Sequence, residues 1–308
     1  MPLFSVTIES EYTVGGFYLK RLTVVLIIFI LGIAVIGCSG ERTSSEAIYY
    51  KEEVAVLMYH HIAEETNAST ITPKQFSDHL AMFQEKGFNV ISINDFADLL
   101  EGNKEVPPNA LVITFDDGYR SFYHEAYPRL VEKDMPATVF VIGSKVGVTE
   151  GEVAKLTWQQ MQEMRQQGMS FYSHTHDSHN YITVNAEGGQ KPALVKPAYL
   201  TNENRSETRE EFEQRIRLDF TRSYNELKSN LGYPVPFLAL PYGWASDTAL
   251  DIANQVGFDY IFTIKPGMNG KETPHNRLYR INAGNPEITA EDLFNTIISI
   301  SSNKEKND

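Results

Sequence analysis

Apolar residues fall along this chain in short runs separated by amphipathic stretches. Eight runs are predicted as strands: Val54–Tyr59, Asn89–Ile93, Ala110–Phe115, Ala137–Ile142, Met169–Ser173, Phe237–Leu240, Tyr260–Ile264 and Leu278–Ile281. Helical periodicity is predicted over Pro73–Lys86, Ser121–Lys133, Trp158–Gln167, Glu207–Asn230, Asp247–Gln255 and Ala290–Ser301. Gly87 and Gly168 stop two of these helices and Thr157 opens one, as capping chemistry demands. Strands spaced by helices imply parallel βαβ units, and seven or eight of them suit a (β/α) barrel. An open doubly wound sheet is the alternative, but no strand is followed by a glycine-rich phosphate loop. Residues 177–206, with two prolines and paired glycines, carry no period. So long an irregular stretch in a compact domain is uncommon, and it is expected to be a loop on the substrate side.

The start of the chain has a different texture. Lys20-Arg21 precedes an unbroken apolar run, Leu22–Ile36, which is short for a bilayer span of about 20 residues but suits an export signal. Val35-Ile36-Gly37-Cys38 resembles the bacterial lipobox, in which cleavage precedes a cysteine that takes a lipid. A plain signal anchor with an incidental cysteine is the alternative. The organisation expected is a lipoprotein-type signal peptide over 1–37, a polar tether over 38–52, one catalytic domain over 53–302 and a polar tail over 303–308. The product would be exported and lipid-anchored through Cys38 to the outer face of a bacterial cytoplasmic membrane, or secreted.

Composition narrows the function classes. The 308 residues are 42% hydrophobic and 22% charged, with one cysteine and a net charge of −13. That excludes a disordered chain, a disulfide-stapled mini-protein and a cysteine-rich metal cage. The shortage of clustered Lys and Arg argues against a nucleic-acid partner. The predicted signal carries Glu9, Glu11, Lys20 and Arg21, so its removal leaves the net charge unchanged.

Three segments carry candidate chemistry. Phe115-Asp116-Asp117-Gly118 ends an apolar strand in two carboxylates, at the strand end where an α/β barrel places catalytic groups. Neighbouring side chains on an extended chain point apart, so one carboxylate can bind a metal while the other stays free as a base. A solvated turn is the competing reading. Ser173-His174-Thr175-His176-Asp177-Ser178-His179 holds three of the eight histidines. Two of them with one Asp would make the three-ligand set of a catalytic zinc, against a merely His-rich surface turn. Leu240-Pro241-Tyr242-Gly243 ends another strand in a turn whose freed N–H could face an oxyanion. Alone, it reads simply as a turn.

In that order the three segments resemble the first motifs of the polysaccharide deacetylases, the NodB homology domain of carbohydrate esterase family 4. The likeness runs from about Val54 to Ile298. His174 and His179 are five positions apart where the usual spacing is four. Ser-His-Thr-His-Asp-x-His, Met58-Tyr59-His60-His61-Ile62 and the long loop after His179 look instead like the branch that deacetylates poly-β-1,6-N-acetylglucosamine. The resemblance implies a deformed (β/α) barrel with seven or eight parallel strands. It implies Asp116 as general base, Asp117, His174 and His179 as metal ligands, and the Tyr242 N–H as oxyanion donor. The ion expected is zinc, with cobalt, nickel or iron as alternatives.

Two family features are missing. Leu238 stands where the third motif usually opens with an arginine that orients the base, and no histidine follows Leu278 to act as the late acid. Arg280 is the candidate replacement for the first, and His275 or His176 for the second. His60 and His61 are expected to be structural, at the barrel rim, and Trp244 to be a sugar platform. The activity implied is N-deacetylation of an N-acetylglucosamine polymer by a monomer. A peptidoglycan or chitin deacetylase, a xylan O-acetyl esterase and a catalytically weak saccharide-binding lipoprotein are the alternatives.

Overall fold

A computed structural model describes residues 47–149 and 153–304. The predicted signal, Cys38 and most of the tether lie outside the described residues, as does the end of the tail. Among the described residues no helix is long and apolar enough to cross a membrane.

The main sheet contains β1 (Val54–Tyr59), β2 (Asn89–Val90), β3 (Ala110–Phe115), β4 (Ala137–Val141), β5 (Met169–Ser173), β6 (Phe237–Ala239), β7 (Tyr260–Phe262) and β8 (Ile281–Asn282). The order is β7-β6-β5-β4-β3-β1-β8, with every pairing parallel. β2 pairs the first residues of β3, and β4 pairs its last two. All six residues of β1 and all six of β3 are buried. Burial on both faces is why these strands read as continuous apolar runs rather than as alternating ones.

One short segment draws the two ends of the sheet together. Leu278 bridges Phe262 of β7, and Ile281, three residues later, pairs Leu57 of β1. The result is a deformed (β/α) barrel, and Arg280 lies inside its seam with no solvent exposure.

The helices are α1 (Pro73–Glu85), α2 (Ile93–Leu100), α3 (Tyr127–Glu132), α4 (Trp158–Met164), α5 (Arg209–Leu231), α6 (Asp247–Val256) and α7 (Ala290–Lys304). Thr208 and Glu211 form a reciprocal capping box at the start of α5, and Gly232, at φ 75°, ends it.

Several predicted elements change. The strand expected over Asn89–Ile93 stops at Val90, because Ser92 accepts the Asp95 N–H and starts α2. The helix expected over Ser121–Lys133 opens with a π turn over Phe122–Ala126 and then becomes α3. The stretch 177–206 is not without order: Tyr181–Thr183 pairs antiparallel with Gln190–Pro192, and Tyr199–Leu200 with Arg205–Ser206.

Candidate active site

The chemistry-bearing residues gather at the carboxyl ends of the strands. After Phe115, the Asp116 N–H extends the ladder by one bond to the Tyr59 carbonyl, at 2.9 Å. Asp117 (φ 69°) and Gly118 (φ 65°) then leave in the left-handed region, which separates the directions of the two carboxylates. A Cβ at Gly118 would lie 2.9 Å from Val141 Cγ1, so this turn requires glycine.

Asp116 is 2% exposed and is met by Arg280, whose Nη1 and Nη2 donate to Oδ1 at 2.7 Å and Oδ2 at 2.8 Å. Arg280 Nε donates to the Thr263 carbonyl at 2.9 Å, which fixes the guanidinium plane. Burial pushes the Asp116 carboxyl up, but the Arg280 guanidinium beside it is the main influence that outweighs this and holds the group below its ordinary value.

His174 follows β5 directly. Its Nδ1 lies 2.8 Å from the Ala239 carbonyl, and a carbonyl only accepts, so Nδ1 carries the proton. Its Nε2 then faces Asp117 Oδ1 at 3.4 Å, and His179 Nε2 lies 3.2 Å from the same oxygen. The three ligand-type atoms of Asp117, His174 and His179 lie within 4.8 Å of one another. Asp117 Oδ1 is nevertheless buried without a hydrogen bond among the described residues. Two imidazole nitrogens and one carboxylate oxygen converging on one buried point suit a divalent transition metal. The donor set fits such an ion. Burial pushes the Asp117 carboxyl up, but the two imidazoles pull it well below its ordinary value; burial lowers His179, and Asp117 reverses that.

The third segment forms a tight turn, with Gly243 N–H bonded to the Leu240 carbonyl at 2.8 Å and Trp244 N–H to the Pro241 carbonyl at 3.4 Å. Tyr242 sits between them at φ 58°, and its own N–H takes part in neither bond. A tyrosine in the left-handed region costs about 1–3 kcal/mol, a strain that is common at functional sites. The Tyr242 ring packs 4.7 Å from both His179 and Tyr181, which makes it one wall of the site.

Neither histidine suggested as the missing acid is at this centre. His176 turns to α5, where its Nδ1 lies 3.0 Å from Glu226 Oε2. His275 packs on Tyr260, beside Glu101. Of the two histidines expected at the rim, His60 is the one that the register brings beside the carboxylates. Tyr59 pairs Phe115, so His60 comes out beside Asp116. It lies within electrostatic reach of Asp116, Asp117, Arg280 and His174, and burial lowers it despite the two carboxylates. Its Nδ1 is buried and has no hydrogen-bond partner among the described residues. The available signal was the register: adjacent parallel strands of equal length bring their next residues together. His61 bonds Ser121 Oγ at 2.7 Å, and Trp244 is 64% exposed beside the Tyr242 turn.

Fold and site together define the class: a (β/α) barrel with a carboxylate–imidazole centre at the carboxyl ends of its strands, the framework of a hydrolase. The sequence model of polysaccharide deacetylases matches residues 103–261, and the chain belongs to that family. It is 30% identical over 227 residues to the poly-β-1,6-N-acetyl-D-glucosamine N-deacetylase of Escherichia coli K12, covering 69% of this chain and 34% of that protein. The chain thus spans about a third of the length of that relative. The Staphylococcus aureus N315 enzyme of the same name is 24% identical over 305 residues, covering 91% of this chain and 96% of its own. The solved de-N-acetylase from Aggregatibacter actinomycetemcomitans superposes with a TM-score of 0.72 at 27% identity, over 79% of this chain and 99% of that one.

Proposed function

We propose that the protein is a metal-dependent N-deacetylase of poly-β-1,6-N-acetylglucosamine, acting outside the cell. The observation that carries the reading is the pairing of two differently held carboxylates. Asp116 is locked to Arg280, while Asp117 shares one oxygen with two imidazoles. A purely binding protein has no need of a free, oriented carboxylate beside a three-ligand set. The names of the Escherichia coli and Staphylococcus aureus relatives support the substrate.

Asp117, His174 and His179 would hold the ion, zinc or another divalent transition metal. Bound there, it would supply Lewis acidity to the acetamide carbonyl and lower the pKa of water. Asp116 accepts a proton from the attacking water on one carboxylate oxygen. Arg280 keeps that carboxylate ionised and prevents its rotation. The Tyr242 N–H donates to the developing oxyanion, in a conformation the turn has already imposed. His60, beside Asp116, is the imidazole available to relay that same proton from Asp116 to the departing nitrogen, which leaves acetate and a free amine and returns Asp116 to its ionised form.

The lipid anchor at Cys38, export past the membrane and a monomeric state belong to this proposal as well. Incorporation of labelled palmitate that is lost in Cys38→Ala tests the anchor. Acetate release from β-1,6- and β-1,4-linked N-acetylglucosamine oligomers, with metal-stripped protein and Asp116→Asn as controls, tests the activity. Metal-restored release from the β-1,6 oligomer is expected. Release from the β-1,4 oligomer alone would transfer the reading to a chitin or peptidoglycan deacetylase, and polymer binding without release would transfer it to a saccharide-binding protein.

A further inference from the structure

The segment that carries both imidazoles is held by one face of one helix. Asp219, Ser223 and Glu226 of α5 are four and three residues apart, the spacing that aligns side chains on a helix surface. Asp219 accepts the His176 N–H on Oδ1 at 3.1 Å and the Asp177 N–H on Oδ2 at 2.7 Å, and it also bonds the Ser178 side chain. Ser223 Oγ meets Ser173 Oγ at 2.7 Å, and Ser173 Oγ in turn accepts the Thr175 N–H at 3.0 Å. Glu226 Oε2 lies against His176 Nδ1, and Arg222 holds the other Glu226 oxygen at 2.9 Å. Gly143 and Ser144 also donate to the carbonyls of Thr175 and His176, at 3.0 and 2.8 Å.

This clamp answers a specific difficulty. The chain between His174 and His179 has to fold back so that both rings reach Asp117 Oδ1, and it does so through Thr175 at φ 69°. A β-branched residue is ill suited to that conformation, so the segment would relax without outside support. The segment also offers three imidazoles to a site that brings together two of them. His176 Nδ1 turns instead towards Glu226 Oε2, 3.0 Å away, where a Cβ on Gly143 would lie only 2.8 Å from it. Among the described residues no hydrogen bond or ion pair joins α5 to Asp117, His174 or His179, so the helix acts on them through the loop.

We propose that Asp219, flanked by Ser223 and Glu226, is a positioning residue that sets the divalent-ion affinity of the Asp117–His174–His179 site. This rests on the metal reading of that site. Carboxylates one step removed from metal ligands typically account for 10–100-fold in affinity, because they fix ligand orientation before the ion arrives. The two consecutive backbone N–H groups that Asp219 receives fill that role here.

The test uses the full chain purified in detergent, stripped of metal and titrated with Zn²⁺ or Co²⁺ against a chromophoric chelator. Asp219→Asn keeps the size and one acceptor oxygen, Asp219→Ala removes both acceptors, and Leu218→Ala, an exposed neighbour, is the control. Asp219→Asn and Asp219→Ala are expected to weaken ion binding by about 10–100-fold, with catalysis returning towards the parent level at saturating metal. Leu218→Ala should bind as the parent does. Should Asp219→Ala fail to fold, Asp219→Asn decides, provided its metal-free thermal midpoint matches the parent. Parent-like affinity in a folded Asp219→Asn protein overturns the positioning role. If the parent binds no ion that Asp117→Asn loses, the metal reading itself falls and this proposal with it; the Asp117→Asn titration therefore separates the two failures.

Discussion

Arg280 and Asp116, 164 positions apart in the chain, meet inside the barrel as a two-point pair in which each carboxylate oxygen accepts one guanidinium nitrogen. Arg280 is fully buried and lies in the seam where Leu278 and Ile281 join the two ends of the sheet. The same contact therefore aims the proposed base and ties the barrel closure to it. Breaking a buried pair from one side strands a charge and costs about 3–5 kcal/mol. Arg280→Met is expected to lose stability on that scale and to lose activity. Arg280→Met with Asp116→Asn should regain much of the stability and none of the activity, as read by urea unfolding and acetate release. Equal stability of the single and double variants would show that the pair does not couple folding to the site.

His60 is argued to act on the departing nitrogen rather than on binding. His60→Gln is expected to lower kcat by about 10²–10⁴-fold while leaving KM and ion affinity close to the parent. A rise in KM with kcat preserved would return His60 to the structural role that its position at the end of β1 first suggested.

Much of this was legible in the sequence, for identifiable reasons. β1 and β3 are buried on both faces, so their runs name themselves. The turn that follows Asp116 is legible because it is local and Val141 demands glycine at position 118. What escaped is set by distance or by competition. Val90-Ile91-Ser92-Ile93 looks like one strand until the Ser92 side chain is seen to favour a helix start over another ladder bond. Leu278-Tyr279-Arg280-Ile281 looks like one strand but belongs to two edges, bridging β7 with its first residue and β1 with its last. Arg280 was suggested only as a substitute, since nothing local links it to Asp116. The place of His60 beside Asp116 follows from the register of β1 against β3, which its own neighbours in the sequence do not reveal.

Ion binding should be visible without substrate. A ligand that binds only the folded state stabilises it by RT ln(1 + [L]/Kd), about 2.7 kcal/mol at one hundred times Kd. Chelator treatment is expected to lower the thermal midpoint and abolish acetate release, and Zn²⁺ or Co²⁺ should restore both. Asp117→Asn should show neither response, since it turns the anionic oxygen on which both imidazoles converge into part of a neutral amide. A thermal response that survives Asp117→Asn would assign the ion to another site.

Gly243 offers a test of the oxyanion donor that leaves every polar side chain in place. Its φ is +74°, and a Cβ there would lie 2.7 Å from the Ile264 backbone nitrogen. Gly243→Ala must shift the turn that holds the Tyr242 N–H. Because loss of one oxyanion donor costs about 10²–10³ in kcat, a fall towards that range is expected, with the fold and ion affinity kept. Unchanged kcat in a folded Gly243→Ala protein would remove Tyr242 from the catalytic assignment.

His79 contributes a pH dependence to stability. It is fully buried, with Nδ1 3.0 Å from the Tyr59 hydroxyl and Nε2 3.2 Å from the Ile288 carbonyl, so it joins α1 to β1 and to the loop before α7. The carbonyl accepts the Nε2 proton, and Nδ1 accepts from Tyr59, an arrangement that suits the neutral ring. Burial lowers its pKa from the ordinary value of 6.5 by more than the Ile288 carbonyl and Asp78 raise it. The unfolded chain therefore takes up this proton at a higher pH than the folded one does. The contribution of His79 to stability is complete above pH 6.5 and is lost as the pH falls from there through the lowered folded value. Urea unfolding is expected to weaken over that window in the parent, and His79→Gln, which titrates in neither state, should remove this part of the slope. An identical slope in both proteins would place the acid sensitivity in other groups.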